Sequence, residues 1–375
     1  MSTTKKNIIS NLLLALAVTI VSFILSVSSI HKLFNILDFT NSVGGSDFNM
    51  SDVYNKVADN RAVRLLNDQI TVISIDGCDR QDIAHLISII NSHNPKAIGI
   101  DVLFNFEYEG DEVLIDAISN CSNLVLPLAI DEQENIAIES YFYKDFDNLH
   151  IGAINLDSYS KGQCVRTFRP SLYFDNETIN SFGAEIASVV SPEAYSNLKE
   201  RGNECEVIFY PSVDFNIHKA ADLFTDTNLY KEAIENKIIL LGDLHNTGDY
   251  HRTPISQGTP GVIIHANIIN TILSGSYIKS MSNWLSWFIA FVLCLIFIIV
   301  KVFSDKLKGL DPLVMRLFQL TCLYVFFVMG CKIFINKLFY VDFSPTMLMI
   351  TIGLFAFDIW VGFVALFDMI FKKGK

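Results

Sequence analysis

The sequence predicts an α/β fold, a mixed and mostly parallel sheet with helices on both faces, joined to a four-helix transmembrane part. Three observations carry this. Short, β-branched apolar runs at 70–75, 97–100 and 238–241 end at Asp76, Asp101 and Gly242-Asp243, as strands buried on both faces do. Segments with apolar residues at helical spacing alternate with these runs, and such alternation calls for parallel strands with helical crossovers. The remaining apolar residues concentrate toward the two ends of the 375-residue chain, in runs long enough to cross a bilayer core of roughly 30 Å.

Taken in order, residues 8–30 carry no charge and follow Lys5 and Lys6. This run exceeds the apolar region of about 7 to 15 residues in a secretory signal, so residues 1–30 read as a short tip and an uncleaved anchor. Residues 31–66 are polar and weakly patterned, with part expected as helix near the membrane. The strand at 70–75 is followed by a helix over 82–93, in which Ile83, Leu86, Ile87 and Ile90 share one face. Pro95 breaks that helix before the strand at 97–100. A helix over 111–119, with Val113, Leu114, Ala117 and Ile118 on one side, leads to a third strand at 124–128.

Residues 131–150 read as an excursion. The strands at 151–156 and 165–168 flank Lys161-Gly162, which predicts a hairpin on an antiparallel edge. A helix at 181–190, a strand at 207–210 and short helices at 220–224 and 229–235 precede the strand at 238–241. A polar loop follows with His245, Asp249 and His251, closing at Pro260-Gly261, and a helix runs over 262–273 to Gly275. Residues 31–283 are thus one α/β domain. Spans at 284–303, 313–335 and 343–367 and a tail at 368–375 complete the chain.

Four spans place both termini on one side. Lys5 and Lys6, the loop with Lys301, Lys306, Lys308 and Arg316, and the tail with Lys372, Lys373 and Lys375 all fall there, which by the positive-inside rule is the cytoplasm. The chain then reads as a multi-pass protein of the cell (inner) membrane, with lipid as a partner and residues 31–283 periplasmic or extracellular. That segment holds 17 Lys plus Arg against 35 Asp plus Glu, an acidic balance that argues against a nucleic-acid partner. Its cysteines, Cys78, Cys121, Cys164 and Cys205, could form one or two disulfides or remain buried thiols. No CxxC or CxH pair marks a structural zinc site.

Strand ends of one direction share one edge of a parallel sheet, and ligand sites of open α/β sheets gather there. Asp76, Asp101 and Asp243 end three of the predicted strands. Joined by Asp249, His251 and His265, they make a candidate oxygen-and-nitrogen pocket for a divalent cation or a cationic ligand. No cofactor is named by this set. Each residue also has a plainer role: Asp76 and Asp101 as helix caps, Asp249 bonded within its own loop, His265 as a buried histidine. No GxSxG elbow, HExxH or phosphate loop supports catalysis. In the last span, Asp358 lies where a carboxylate costs about 2.5 to 3.5 kcal/mol, so it is expected to meet a partner inside the membrane.

Several ordered elements resemble the CHASE domain of the second type, a family of extracytoplasmic sensory modules associated with cyclases and histidine kinases. They are VISID at 72–76, AIGIDVLF at 97–104, Asp116-Ala117-Ile118, Leu126-Pro127, Gly162 with Arg166, KIILLG at 237–242, DYHRTP at 249–254 and PGVIIHAN at 260–267. The chain departs from the pattern at Gly77, Cys78 and Lys161. One span before the domain and three after it also resemble the family. The resemblance implies a sensor subunit, and with about eight residues after the last span its signal is expected to pass to a separate cytoplasmic or membrane protein carrying the output. A homodimer through the spans fits a sensor. The alternatives are a membrane scaffold that binds other chains, and a metal-dependent ecto-hydrolase using Asp76, Asp101, Asp249 and His265.

Overall fold

A computed structural model describes residues 49–343, apart from 62–63, 132–135, 144–145, 147–148, 157–163, 211–212, 226–230 and 305–310, together with a few isolated positions beyond that span. The main sheet has seven strands: β1 (Leu65–Ser74), β2 (Ala97–Ile100), β3 (Leu124–Asp131), β4 (Ile136–Ile138), β5 (His150–Ala153), β6 (Val213–Lys219) and β7 (Ile238–Gly242). Their order is β6-β1-β7-β2-β3-β4, with β5 also paired to β3. All pairings are parallel except β3 with β4, so the sheet is mixed and mostly parallel.

Side chains alternate across the pleat, and each face finds its own helices. On the first face Ile73, Ile239 and Leu241 pack against Ile83, Leu86, Ile87 and Ile90 of α1 (Arg80–Ser92) and Leu114 and Ile118 of α2 (Asp111–Ser119). On the second face Ile70, Val72 and Leu240 meet Phe182 and Ile186 of α3 (Phe182–Val190), and Val262, Ala266 and Ile269 of α4 (Gly261–Ser274). Strands β1 and β2 therefore feed helices on one face, while β7, lying between them, feeds a helix on the other. Chains leaving in opposite directions at the carboxyl end of a parallel sheet mark the place where such sheets set their ligand sites.

Several expectations change. The hairpin expected from 151–156 and 165–168 does not form. Strand β5 joins β3 in parallel, Val125 opposite His150, and its Ala153 is fully buried. Thr167–Phe168 instead pairs antiparallel with Glu206–Val207, so the strand expected at 207–210 lies outside the main sheet. The antiparallel edge is supplied by β4, from the stretch read as an excursion. A separate hairpin joins Ser171–Phe174 to Glu177–Asn180 and turns at Asp175 and Asn176, both at positive φ. Strand β6 and the helix Pro192–Arg201 were not expected. Neither Asp76 nor Asp101 caps a helix: α1 is capped by Asp79 in a box with Asp82, and Gly110 precedes α2.

The seven cysteines form no disulfide, and Cys121 and Cys164 are buried. The chain divides into two compact units, Asn55–Ile278 and the combination of Met1–Tyr54 with Lys279–Lys375. In the second of these, helices Asn283–Ser304 and Asp311–Lys337 are long and apolar enough to cross a membrane. Most of the spans expected at 8–30 and 343–367, with Asp358 in the latter, lies outside the described residues. Within the same unit Tyr54 is fully buried, its ring 6.0 Å from Phe334 and 5.8 Å from Tyr340. Gly330 makes room for it, since a Cβ there would overlap the Tyr54 hydroxyl.

Candidate functional site

The six expected site residues do gather at the carboxyl edge, but in two sets on either side of β7. On the β1 side, Asp76 gathers the start of the loop after β7. Its Oδ1 accepts the backbone N–H groups of Leu244 at 3.1 Å and His245 at 3.2 Å, and its Oδ2 accepts the Ser74 hydroxyl and lies 2.6 Å from His245 Nδ1. Asp243 turns the loop, its Oδ1 accepting the N–H groups of His245 at 2.9 Å and Asn246 at 3.0 Å. Burial pushes the Asp76 carboxyl up, but hydrogen bonds from Asp243, Ser74 and His245 win and hold it well below the usual carboxylate range. The neighbouring Asp76 carboxyl, with burial second, raises Asp243. The two neighbouring carboxyls are thus shifted in opposite directions, Asp76 down and Asp243 up.

On the β2 side the groups are buried. His265 lies one turn into α4, 3% exposed, with its ring edge-on to Phe182 at 5.2 Å between centroids. Its Nε2 is 4.0 Å from Asp101 Oδ1, too long for a hydrogen bond, and its Nδ1 is buried with no partner. Asp249 and His251 stand nearby, His251 Nε2 to Asp249 Oδ1 at 3.2 Å. The second Asp249 oxygen accepts the Gly261 N–H at 3.2 Å, which sets a carboxylate on the positive end of α4. Only glycine fits that contact, because a Cβ on Gly261 would lie 2.6 Å from Asp249 Oδ2.

Burial governs both titrations in this second set. It pushes Asp101 up to about 7, with the Asp249 charge adding to the rise and His251 opposing it. It pulls His265 down to about 4, against the Asp249 charge and with that of His251. At neutral pH the imidazole is therefore uncharged beside a carboxyl poised to gain or lose a proton. The pair places a buried donor and acceptor side by side without a hydrogen bond between them.

Among the described residues no hydrogen bond or ion pair joins Asp76 and Asp243 to Asp101, Asp249, His251 and His265. Nor do three or more His, Cys, Asp or Glu side chains converge as a metal-binding group there. The single pocket expected for a divalent cation is replaced by two polar sets, and Asp76 is bonded away from the groups the hydrolase alternative required.

Sequence reasoning overlooked His245 as a partner of Asp76, although it stands two residues after Asp243. It also overlooked a buried knot holding the loop after β2. There Arg80 pairs with Asp111 and donates to Phe106 O at 2.7 Å, and Asp111 Oδ2 accepts the Tyr141 hydroxyl at 2.6 Å and the Tyr108 N–H at 2.5 Å. No local signal marked these residues, because Tyr141 and Asp111 join only through the fold.

The family model of the CHASE2 domain matches residues 48–300, more than half of the chain, and takes in every strand of the main sheet. No curated protein and no solved structure matches the chain.

Proposed function

The chain belongs to the CHASE2 family of sensory domains and carries two helices able to cross a membrane; from that premise we propose that it is a membrane-anchored sensor subunit whose α/β unit responds to a small polar ligand at the carboxyl edge of its sheet. The observation that carries the ligand reading is the buried, unpartnered Nδ1 of His265 beside Asp101. An unmet polar atom in a core is costly, and a ligand that supplies its missing bond binds the folded state selectively. Asp249 and His251 are the more exposed members of this set, and Asp76 with Asp243 form the neighbouring one.

In this reading the α/β unit lies outside the cytoplasmic membrane and both termini inside, as the lysine and arginine distribution supports. The signal passes to a separate protein that carries the output, contacted through Asp358 and the basic loop from Lys301 to Arg316, and the sensor pairs with a second copy through its spans. Deleting residues 305–310 should leave the α/β unit folded and abolish signalling.

The test is thermal unfolding of the full chain in lipid nanodiscs against a panel of polar metabolites. A ligand at a hundred times its Kd stabilises by about 2.7 kcal/mol. We expect at least one such shift, lost in the Asp101→Asn and His265→Asn variants. A second reading, a scaffold that binds other chains, is favoured by Phe106 and Tyr108, which stand 79% and 68% exposed beside the Arg80 knot. No shift with any compound, together with loss of a bound protein on replacing Phe106 and Tyr108 by Ser, would move the conclusion to the scaffold.

A further inference from the structure

On the far side of β1 from β7, where β1 and β6 end, a cavity of about 330 Å³ opens, within the range of small-molecule sites. Its lining sorts by charge. Asp76 and Asp82 belong to the β1 end and the first turn of α1, Lys219 stands at the end of β6, and Ser74, Phe224 and His245 complete the principal contacts. Register explains the spacing: Lys219 pairs directly with Ser74 across the two parallel strands, so the cation and Asp76 fall at the mouth of one cavity. The Lys219 ammonium has no hydrogen-bond or ion-pair partner among the described residues. Phe224 gives an apolar wall, its ring fixed by stacking on His85 at 5.4 Å.

We propose that this cavity binds a free amino acid, its ammonium group received by Asp76 and Asp82 and its carboxylate by Lys219. The charges require a ligand with both signs separated by a few bonds. A simple anion would face two carboxylates, and a simple cation would leave Lys219 unmet and repelled. Phe224 and the small Ala220 and Ala221 beside it leave room for an apolar side chain. This inference rests on the sensor reading for its purpose but uses residues apart from Asp101 and His265.

The test is calorimetric titration of the full chain in nanodiscs with the free amino acids, each compared with its N-acetyl and carboxamide derivatives. We expect at least one amino acid to bind, with both blocked forms weaker by on the order of ten-fold or more. Lys219, exposed at the end of an edge strand, can be replaced without disturbing the core. Lys219→Met should weaken the free amino acid by a similar factor while leaving its carboxamide unchanged, and Lys219→Glu should gain binding of α,ω-diamines. Equal binding of free and blocked forms, or no effect of Lys219→Met, would overturn the assignment. Binding retained in His265→Asn supports it, whereas ligands that respond only to Asp101 and His265 would overturn this cavity and leave the sensor reading standing.

Discussion

Unfolded, Asp101 titrates near 3.8 and His265 near 6.5; folded, they titrate at about 7 and about 4. The raised Asp101 contributes stability fully present below 3.8 and lost as pH rises through about 7. The depressed His265 contributes stability present above 6.5 and lost as pH falls through about 4. Between about 4 and 6.5 the two slopes, each about 1.4 kcal/mol per pH unit, oppose one another. Folding in that window moves a proton from imidazole to carboxyl and exchanges none with solvent, with Asp249 and His251 as the charged neighbours. Asp101→Asn should therefore make stability fall on acidification from pH 6.5 to 4 relative to the parent chain. Urea titrations across that range check it, and a difference flat in pH would refute the paired titration. A second buried pair behaves differently. Arg201 grips Glu206 with two bonds, 2.5 and 2.9 Å, and Glu206 is almost fully enclosed. Arg201→Met removes the counter-charge and leaves that carboxylate to the Asn203 amide, 2.8 Å away, so it should cost about 3–5 kcal/mol, most of it recovered when Glu206→Gln is added.

Among the elements, α4 and the loop before it form the most constrained junction. Gly261→Ala places a methyl group against the Asp249 carboxylate and should lower stability by about 1–3 kcal/mol, as overpacking does, while loosening the Asp249 to His251 contact; the urea midpoint and the His251 proton resonance report the two effects. The sequence made β1, β2 and β7 legible because parallel strands buried on both faces read as unbroken apolar runs. It hid β6, an edge strand in which Asp214, Asn216 and His218 alternate with Val213, Phe215 and Ile217; that period-2 pattern was present but short. The pairing of β5 was hidden for another reason. Which strand a segment joins is decided by tertiary packing, here the burial of Ala153 against Leu128, Ile130 and Leu172 and the close approach of Gly152 to Phe182, and not by the turn residues near it. The carboxylates at the strand ends were legible for the same reason as their strands. Their division into two sets followed from β7 sending its chain to the opposite face, and the role of Lys219 from a register that only the fold creates.

At the scale of the whole molecule, one compact unit is continuous in sequence, Asn55–Ile278, and the other is split around it. Tyr54 shows what the split entails. The residues that enclose it, Phe334, Tyr340 and Val341, lie at the far end of the chain, its hydroxyl reaching Val341 O across 287 positions. At about 5–20 residues per second, synthesis reaches them on the order of 15 to 60 s after Tyr54 is made. The α/β unit has by then been complete for many residues, so birth order on the ribosome makes it the first unit able to fold and leaves the seat of Tyr54 to be filled last. Chains truncated after residue 300 and released into nanodiscs should resist protease throughout the α/β unit yet be cut after Tyr54, and the full chain should lose that cut.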